Sequence, residues 1–177
     1  YGHTNSLSHP DQLQSNDCLI ISCPFADTGA EHPHMNEILA RCDQLKVPVL
    51  LDLAYINIAQ DITVDLKHDC IEALTTSLSK VFPLGHVRVG MRMKKQNIDD
   101  GLDMTTASDW VNKLGIGIAN SLIKEFDANY IFNKYKQKQT AMCNQLDVTP
   151  SKCVIFGIDH KDKYTEYNRG FETNRLC

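Results

Sequence analysis

The sequence has no long apolar run and no long basic run, and both absences narrow its function. No apolar stretch approaches about 18 residues, so no membrane-spanning helix is predicted. The net charge is −4, with 18 Lys and Arg against 22 Asp and Glu, so a nucleic-acid partner is not indicated. The start, YGHTNSLSHPDQ, is polar, and no signal peptide is predicted there.

Paired cysteine motifs are also lacking. Seven cysteines are present, an odd number, and no two have the C-x-x-C spacing of a zinc or redox site. Several stand in apolar runs such as DCLIISCP, which is typical of buried, reduced thiols in a cytoplasmic protein. The pair in HPH, His32 and His34, has no further ligand cluster nearby. We therefore predict no metal site and a cytoplasmic protein.

The apolar patterns that are present in the sequence predict an α/β fold. The 177 residues suit one domain, or one domain and part of another. The apolar run CLIISC, 18–23, is typical of a strand buried on both faces. A helical pattern follows over 33–46, and further strands are predicted over 47–52 and 71–77. Strand, helix, strand is the order of a mostly parallel sheet.

The second half of the chain has a different pattern of polar and apolar residues. After Arg92 a polar, turn-like segment leads to a helical pattern from about Ser108 to Phe126. A second helix is predicted over 128–146, and the run PSKCVIFGID predicts a strand over 150–159. This order indicates a small α+β unit that long helices join to the first half.

Polar side chains follow two of the predicted strands, where each strand ends. Asp52 closes one strand and Tyr55 lies three residues later, while Ser77 and Lys80 end the next. Arg88 comes eight residues after Lys80. Because ligands of open parallel sheets bind outside the carboxyl ends of the strands, we expect these side chains to face one crevice.

This set of side chains suits one ligand. A lysine amine forms a Schiff base with an aldehyde, and an aspartate holds a pyridinium nitrogen protonated. A tyrosine hydroxyl can bind a phenolic oxygen, and serine with arginine can hold a phosphate. Pyridoxal phosphate has a group that matches each of them: an aldehyde, a pyridine nitrogen, a phenolic oxygen and a phosphate.

The chain from about Cys18 to Arg92 resembles fold-type I pyridoxal-phosphate-dependent enzymes, specifically the class I/II aminotransferase family. The matching motifs are D-x-A-Y over 52–55, S-x-S-K over 77–80 and R-x-G over 88–90. The eight-residue step from the lysine to the arginine is also the family's spacing.

The resemblance implies a role for each of these residues. Lys80 would form the Schiff base with pyridoxal phosphate and move the proton in catalysis. Asp52 would pair with the pyridine nitrogen and Tyr55 would bind the ring hydroxyl. Ser77 and Arg88 would bind the phosphate.

One loop departs from the family pattern. Where the family usually carries N-P-T-G, this chain has Ala26, Asp27, Thr28 and Gly29. The asparagine that normally binds the ring hydroxyl is thus replaced by alanine, so that Tyr55 could hold the hydroxyl alone. Asp27 could substitute, but a carboxylate beside a phenolate-like oxygen would repel it. The departure indicates a divergent subgroup.

The resemblance also implies an arginine that binds the substrate α-carboxylate in a small domain. Arg169 and Arg175 are both candidates, and NRLC is similar to the start of the strand that presents this arginine, which favours Arg175. Residues 1–110 would be the C-terminal portion of the cofactor-binding large domain. Residues 111–177 would hold the connecting helices and a partial small domain.

The expected function is transamination between an amino acid and a 2-oxo acid by a homodimer. A decarboxylase or C–C lyase on the same scaffold stays an alternative, because a fold does not determine its chemistry. A non-catalytic fragment is the other alternative. The family's glycine/serine-rich phosphate loop and the aromatic residue that stacks on the ring would both precede Tyr1, so we expect a piece of a longer protein.

Overall fold

Two separate β-sheets organise the computed structural model, which describes residues 9–82, 84–97, 99–168 and 173–177. The first sheet contains β1 (Leu19–Ser22), β2 (Val49–Asp52), β3 (Ile71–Ser77) and β4 (Gly90–Lys94) in that order. The second contains β5 (Thr149–Pro150), β6 (Gly157–Asp159) and β7 (Asn174–Leu176). The α-helices are α1 (Met35–Leu45), α2 (Gly101–Ala107), α3 (Lys113–Glu125) and α4 (Tyr130–Leu146).

The first sheet is parallel over three of its four strands. β1 pairs with β2 and β2 with β3 in parallel register, whereas β4 runs antiparallel to β3. The prediction of a mostly parallel α/β sheet is therefore confirmed. The connection between β3 and β4 is short and holds no helix among its described residues, and antiparallel pairing is what such a connection allows.

The prediction that the first strand is buried on both faces is wrong. β1 lies at the edge of the sheet, and the side chain of Ile20 is 72% exposed. Its neighbour Ile21 is buried, because α1 covers only one face. The buried residues of α1 recur at helical spacing, as its pattern predicts: Met35, Ile38, Leu39 and Cys42.

The helices of the second half differ in their bounds from the prediction. The segment predicted as turn-like contains α2, whose start is capped by Asp100 through hydrogen bonds from the N–H groups of Leu102 and Asp103. Arg92 in β4 donates two bonds, at 2.7 and 3.0 Å, to the Asp100 carboxylate and so fixes this cap. The helix predicted from about Ser108 begins only at Lys113, whereas α4 confirms the second predicted helix.

A single strand over 150–159 is also wrong, because β5 ends at Pro150 and β6 begins at Gly157. The residues between them form a loop that is hydrogen-bonded to α4. The buried amide of Gln139 donates to the carbonyls of Ser151, Cys153 and Phe156 at 3.1, 2.9 and 2.7 Å. The loop thereby satisfies its buried carbonyls without strand pairing.

The same loop joins the second sheet to the carboxyl end of β2. The N–H of Val154 donates to the carbonyl of Ile58 at 2.8 Å, and Ala59 pairs with Cys153 as an isolated bridge. Ile58, Val154 and Phe156 belong to one buried apolar cluster. The second sheet therefore packs beside the edge where the sequence places the candidate site.

Five of the seven cysteines are buried, while Cys18 and Cys177 are exposed. None of the helices in the described part of the chain combines the length and the apolar character that a membrane span requires.

Candidate functional site

The carboxyl ends of β1, β2 and β3 meet at one edge of the first sheet. Ser22 pairs with Asp52, and Asp52 pairs with Thr75. The Asp52 side chain is half-buried, and its Oδ1 accepts a bond of 3.0 Å from the N–H of Ala54. Its Oδ2 accepts no hydrogen bond from any described residue, so one carboxylate oxygen is left for a ligand.

Lys80 and Tyr55 lie against each other at this edge. The Lys80 Nζ atom is 5.5 Å from the centroid of the Tyr55 ring, a distance typical of a cation–π contact. Lys80 is exposed and Tyr55 is half-buried. Within the described ranges, neither the ammonium group nor the phenol oxygen of this pair forms a hydrogen bond to protein.

Ser77 and Arg88 are related through the pairing of β3 with β4. Ser77 pairs with Gly90, so the connection that carries Lys80 and Arg88 begins and ends at neighbouring residues. Gly90 allows this close pairing, because a Cβ there would lie 2.8 Å from the carbonyl oxygen of Thr76. The eight-residue step thus lies inside one tight connection.

The Arg88 side chain itself points elsewhere. Arg88 is exposed and adopts a left-handed backbone with φ 53°, and its guanidinium donates to the carbonyl of Gly85 at 3.2 Å. Among the described residues, no hydrogen bond joins it to Ser77. Its role in holding a phosphate stays a prediction.

Arg175 reaches the same region from β7. Its guanidinium carbon lies 4.3 Å from the centroid of the Phe156 ring, and that ring lies 5.5 Å from the ring of Tyr55. Arg175, Phe156, Tyr55 and Lys80 therefore form a continuous series of contacts from the second sheet to the first. Arg169, the other candidate, lies outside the described residues.

The A-D-T-G loop after β1 closes one side of this series. Arg175 Nη1 donates to the carbonyl of Ala26, and Asp27 is buried, with 5% of its surface exposed. Gly29 has a φ of +66°, and a Cβ at that position would lie 2.6 Å from the Phe156 ring. Only a glycine fits here without displacing Phe156.

The cysteines nearest this region are poor nucleophiles. Burial raises the pKa of Cys23, at the end of β1, to about 11, and burial likewise raises the pKa of Cys153 to about 11. Both thiols therefore stay neutral near pH 7. The Lys80 amine is left as the candidate nucleophile at this edge.

Sequence reasoning missed two residues of the region, Phe156 and Thr173. Phe156 contacts both Arg175 and Tyr55, yet it stands in an apolar run whose pattern predicts only a strand. Thr173 donates from Oγ1 to the Asp27 carboxylate at 2.5 Å, across 146 residues of sequence. No local pattern signals a contact at that separation.

Comparison with known proteins gives one family and one fold. A family model described as "Aminotransferase class I and II" matches residues 4–155. No curated protein matches the chain. Among solved structures, aspartate aminotransferase from Thermotoga maritima is similar with a TM-score of 0.66 and 15% identity, covering 90% of this chain and 47% of that one.

Two further structures show the same fold. Tyrosine aminotransferase from Leishmania infantum has a TM-score of 0.59 at 15% identity, covering 89% of this chain and 48% of its own. The pyridoxal-phosphate-bound C–S lyase from Staphylococcus hominis has a TM-score of 0.62 at 14% identity, covering 85% and 44%. The chain thus spans less than half the length of each of these proteins.

Proposed function

We propose, from the premise that the chain belongs to the aminotransferase class I and II family, that it carries the central cofactor site of an aminotransferase. Pyridoxal phosphate is the cofactor of that family. The observation that carries the proposal is the series Arg175, Phe156, Tyr55 and Lys80 at the carboxyl ends of the parallel strands.

The residues at this edge fit the cofactor's polar groups. Asp52 has one carboxylate oxygen without a partner, and the Tyr55 hydroxyl, Ser77 hydroxyl and Lys80 amine form no hydrogen bonds to described residues. A half-exposed edge with four open polar groups is available to a small polar ligand. The donors and acceptors match a pyridine nitrogen, a ring hydroxyl, an aldehyde and a phosphate.

Each residue then has a chemical task. When bound, pyridoxal phosphate supplies an electron sink for the carbanion that forms at the substrate Cα. Asp52 Oδ2 would accept a hydrogen bond from the protonated ring nitrogen and keep that nitrogen protonated, because a carboxylate stabilises a nearby cation. Tyr55 would donate its hydroxyl proton toward the ring oxygen, and Ser77 with Arg88 would hold the phosphate.

Lys80 would have two tasks, since its Nζ atom is both a nucleophile and a base. Its Nζ atom would hold the cofactor at the aldehyde carbon in the resting protein. As a base, Nζ would also move a proton from and to the substrate Cα. Arg175 would bind the substrate carboxylate through its guanidinium, which presents paired donors.

Amino acids and 2-oxo acids are the proposed substrates, and a cytoplasmic homodimer is the proposed state of the whole protein. The family membership supports the substrates, while the homodimer and the cytoplasmic location are part of the proposal. Sedimentation of the purified chain tests the dimer, because a monomer would sediment at the 20.0 kDa of a single chain. A monomer at high concentration would contradict it for this chain.

Elimination or another lyase reaction is the second candidate. Two observations favour it: the replacement of asparagine and proline by Ala26 and Asp27, and the similarity to a C–S lyase. Transamination releases a 2-oxo acid and passes the amino group to an acceptor, whereas C–S elimination releases a 2-oxo acid together with a thiol and ammonia. The thiol and the ammonia therefore mark elimination. Product analysis with alanine and with cystathionine separates the two candidates.

Covalent trapping tests the cofactor site without requiring turnover. The chain is mixed with pyridoxal phosphate, reduced with borohydride and digested, and the labelled peptide is identified by mass spectrometry. We expect one dominant label on Lys80 and its loss in Lys80→Arg. Lys124→Arg, an exposed lysine on α3, is the matched control and should leave the label unchanged. Labels spread evenly over surface lysines would contradict the proposal.

A further inference from the structure

We propose that Asp27 is a positioning residue for Arg175, and that it acts by holding Thr173 against the A-D-T-G loop. The inference rests on the proposed role of Arg175 in binding a substrate carboxylate. It concerns the position at which the family pattern has proline, so the carboxylate is a feature of this chain.

Two contacts join the loop after β1 to the end of the chain. Asp27 Oδ2 accepts from Thr173 Oγ1 at 2.5 Å, and the carbonyl of Ala26 accepts from Arg175 Nη1. Neighbouring loop residues thus contact Thr173 and Arg175, which are two positions apart. Thr173 directly precedes β7 and Arg175 lies within it, so the start of β7 is held against the loop by both side chains.

Asp27 is buried to a degree that requires compensation. Only 5% of its surface is exposed, and its Oδ1 has no partner among the described residues. Burying a carboxylate is costly unless hydrogen bonds or an opposite charge offset it. The described contacts supply the Thr173 hydroxyl, and the guanidinium of Arg175 is bound one residue away, at the carbonyl of Ala26.

The Arg175 side chain is buried to the same degree as that of Asp27 and has contacts on several sides. It is 5% exposed, stacks on Phe156 and donates to the carbonyl of Ala26, while its Nε has no partner among the described residues. A guanidinium held on several sides still has donors for a carboxylate. Because Thr173 lies two residues before Arg175, releasing it from Asp27 would loosen the backbone that presents the guanidinium.

The position of Arg175 is tested by ligand affinity. The chain loaded with pyridoxal phosphate is titrated with propionate, a minimal carboxylate, and with propionamide, its neutral analogue, and binding is followed by NMR. The preference for propionate reports the guanidinium. We expect Asp27→Ala to weaken propionate binding about tenfold, the equivalent of one lost hydrogen bond, and to leave propionamide unchanged.

Conservative variants separate positioning from a general loss of structure. Asp27→Asn keeps an acceptor for Thr173 and should bind propionate within about threefold of the parent chain. Thr173→Val should match Asp27→Ala, and the double variant should be no weaker than either single one, because both remove the same bond. Thr28→Val is the control, since among the described residues Thr28 Oγ1 accepts only from the nearby Ala30 N–H.

Hydrogen exchange provides a second readout that needs no ligand. Amides of 174–176 should exchange faster in Asp27→Ala and Thr173→Val and at the parent rate in Asp27→Asn. Unchanged exchange and affinity in Asp27→Ala would overturn the inference, as would tighter propionate binding, which would make Asp27 a competitor for Arg175.

The failure of the proposed function would look different. If the parent chain showed no preference for propionate over propionamide, or if Arg175→Met kept that preference, the role of Arg175 itself would be wrong. Loss of the borohydride label from Lys80 would likewise count against the cofactor site and not against Asp27.

Discussion

The two sides of the candidate site differ in whether their polar groups are hydrogen-bonded within the protein. At the ends of β2 and β3, Tyr55, Ser77 and Lys80 leave their polar atoms without bonds to described residues, on half-exposed or exposed side chains. In the seam between the A-D-T-G loop and β7, Asp27 and Arg175 are buried and bound to Thr173 and Ala26. The open edge suits binding of a ligand, and the closed seam suits the placement of a residue.

The difference follows from what each edge packs against. The open edge is the end of a sheet, where strands stop and side chains project outward. The closed seam is where a loop of the first sheet meets the second sheet through Gly29 and Phe156. Changes in the seam should therefore cost stability, whereas changes at the open edge should cost ligand affinity.

The largest stability effect is expected at Gln139, which holds the loop that carries Phe156. Gln139→Leu removes three hydrogen bonds to buried carbonyls and leaves that of Ser151 without a donor among the described residues, so we expect a loss of about 3–5 kcal/mol in the free energy of unfolding. Urea unfolding measures it. Gln137→Leu, at an exposed position of the same helix, should change stability by less than about 0.5 kcal/mol. Equal effects of the two variants would contradict this account.

Gly29→Ala should break the seam at its closest approach. The new Cβ would meet Phe156 at 2.6 Å and Cys153 at 2.8 Å, on a backbone of positive φ. Overpacking and strain together predict a loss of about 2–4 kcal/mol. Gly117→Ala in α3 is the control, because nothing lies within 4 Å of its Cβ, and it should stabilise the helix by up to about 1 kcal/mol.

The sequence predicted the open edge better than the seam. Asp52, Tyr55, Ser77 and Lys80 lie at or just after strands whose apolar runs are local, so position along the chain was sufficient to bring them to one edge. The seam depends on contacts of residues 26–29 with Phe156, Thr173 and Arg175, which lie far away in sequence and follow no local periodicity. The edge position of β1 was missed for the same reason, because an apolar run does not reveal how many neighbours its strand has.

Asp52→Asn tests the open edge. The amide keeps the turn bond to the N–H of Ala54 but cannot hold a protonated ring nitrogen by charge. We expect pyridoxal phosphate to bind about ten- to a hundredfold more weakly, with unfolding unchanged within about 0.5 kcal/mol. Asp65→Asn is matched, since Asp65 makes the same kind of turn bond, to Lys67 N at 2.9 Å, at an exposed site. A loss of stability instead of affinity would assign Asp52 to the fold.

The smallest effect is expected at Glu31, which ties the end of the A-D-T-G segment to the loop of Phe156. Partial burial acts to raise the pKa of the Glu31 carboxyl, but bonds from Lys152 and Thr63 outweigh it and lower the pKa to about 2. Lys152 donates to both carboxylate oxygens, at 3.0 and 2.8 Å, and is itself 40% exposed. Solvent screening at this exposure limits the tie to about 1 kcal/mol.

The pH dependence of this tie has a definite sign. A carboxyl whose pKa is lower in the folded chain stabilises it fully above the unfolded value of 4.5, and the contribution is lost as the pH falls toward 2. Glu31→Gln should therefore be about 1 kcal/mol less stable than the parent at pH 7, and the gap should narrow between pH 4.5 and 2.5. Glu37→Gln, whose side chain is 68% exposed, should show little gap at pH 7. A Glu31→Gln gap that is constant with pH would mean that shape, and not charge, joins the two loops.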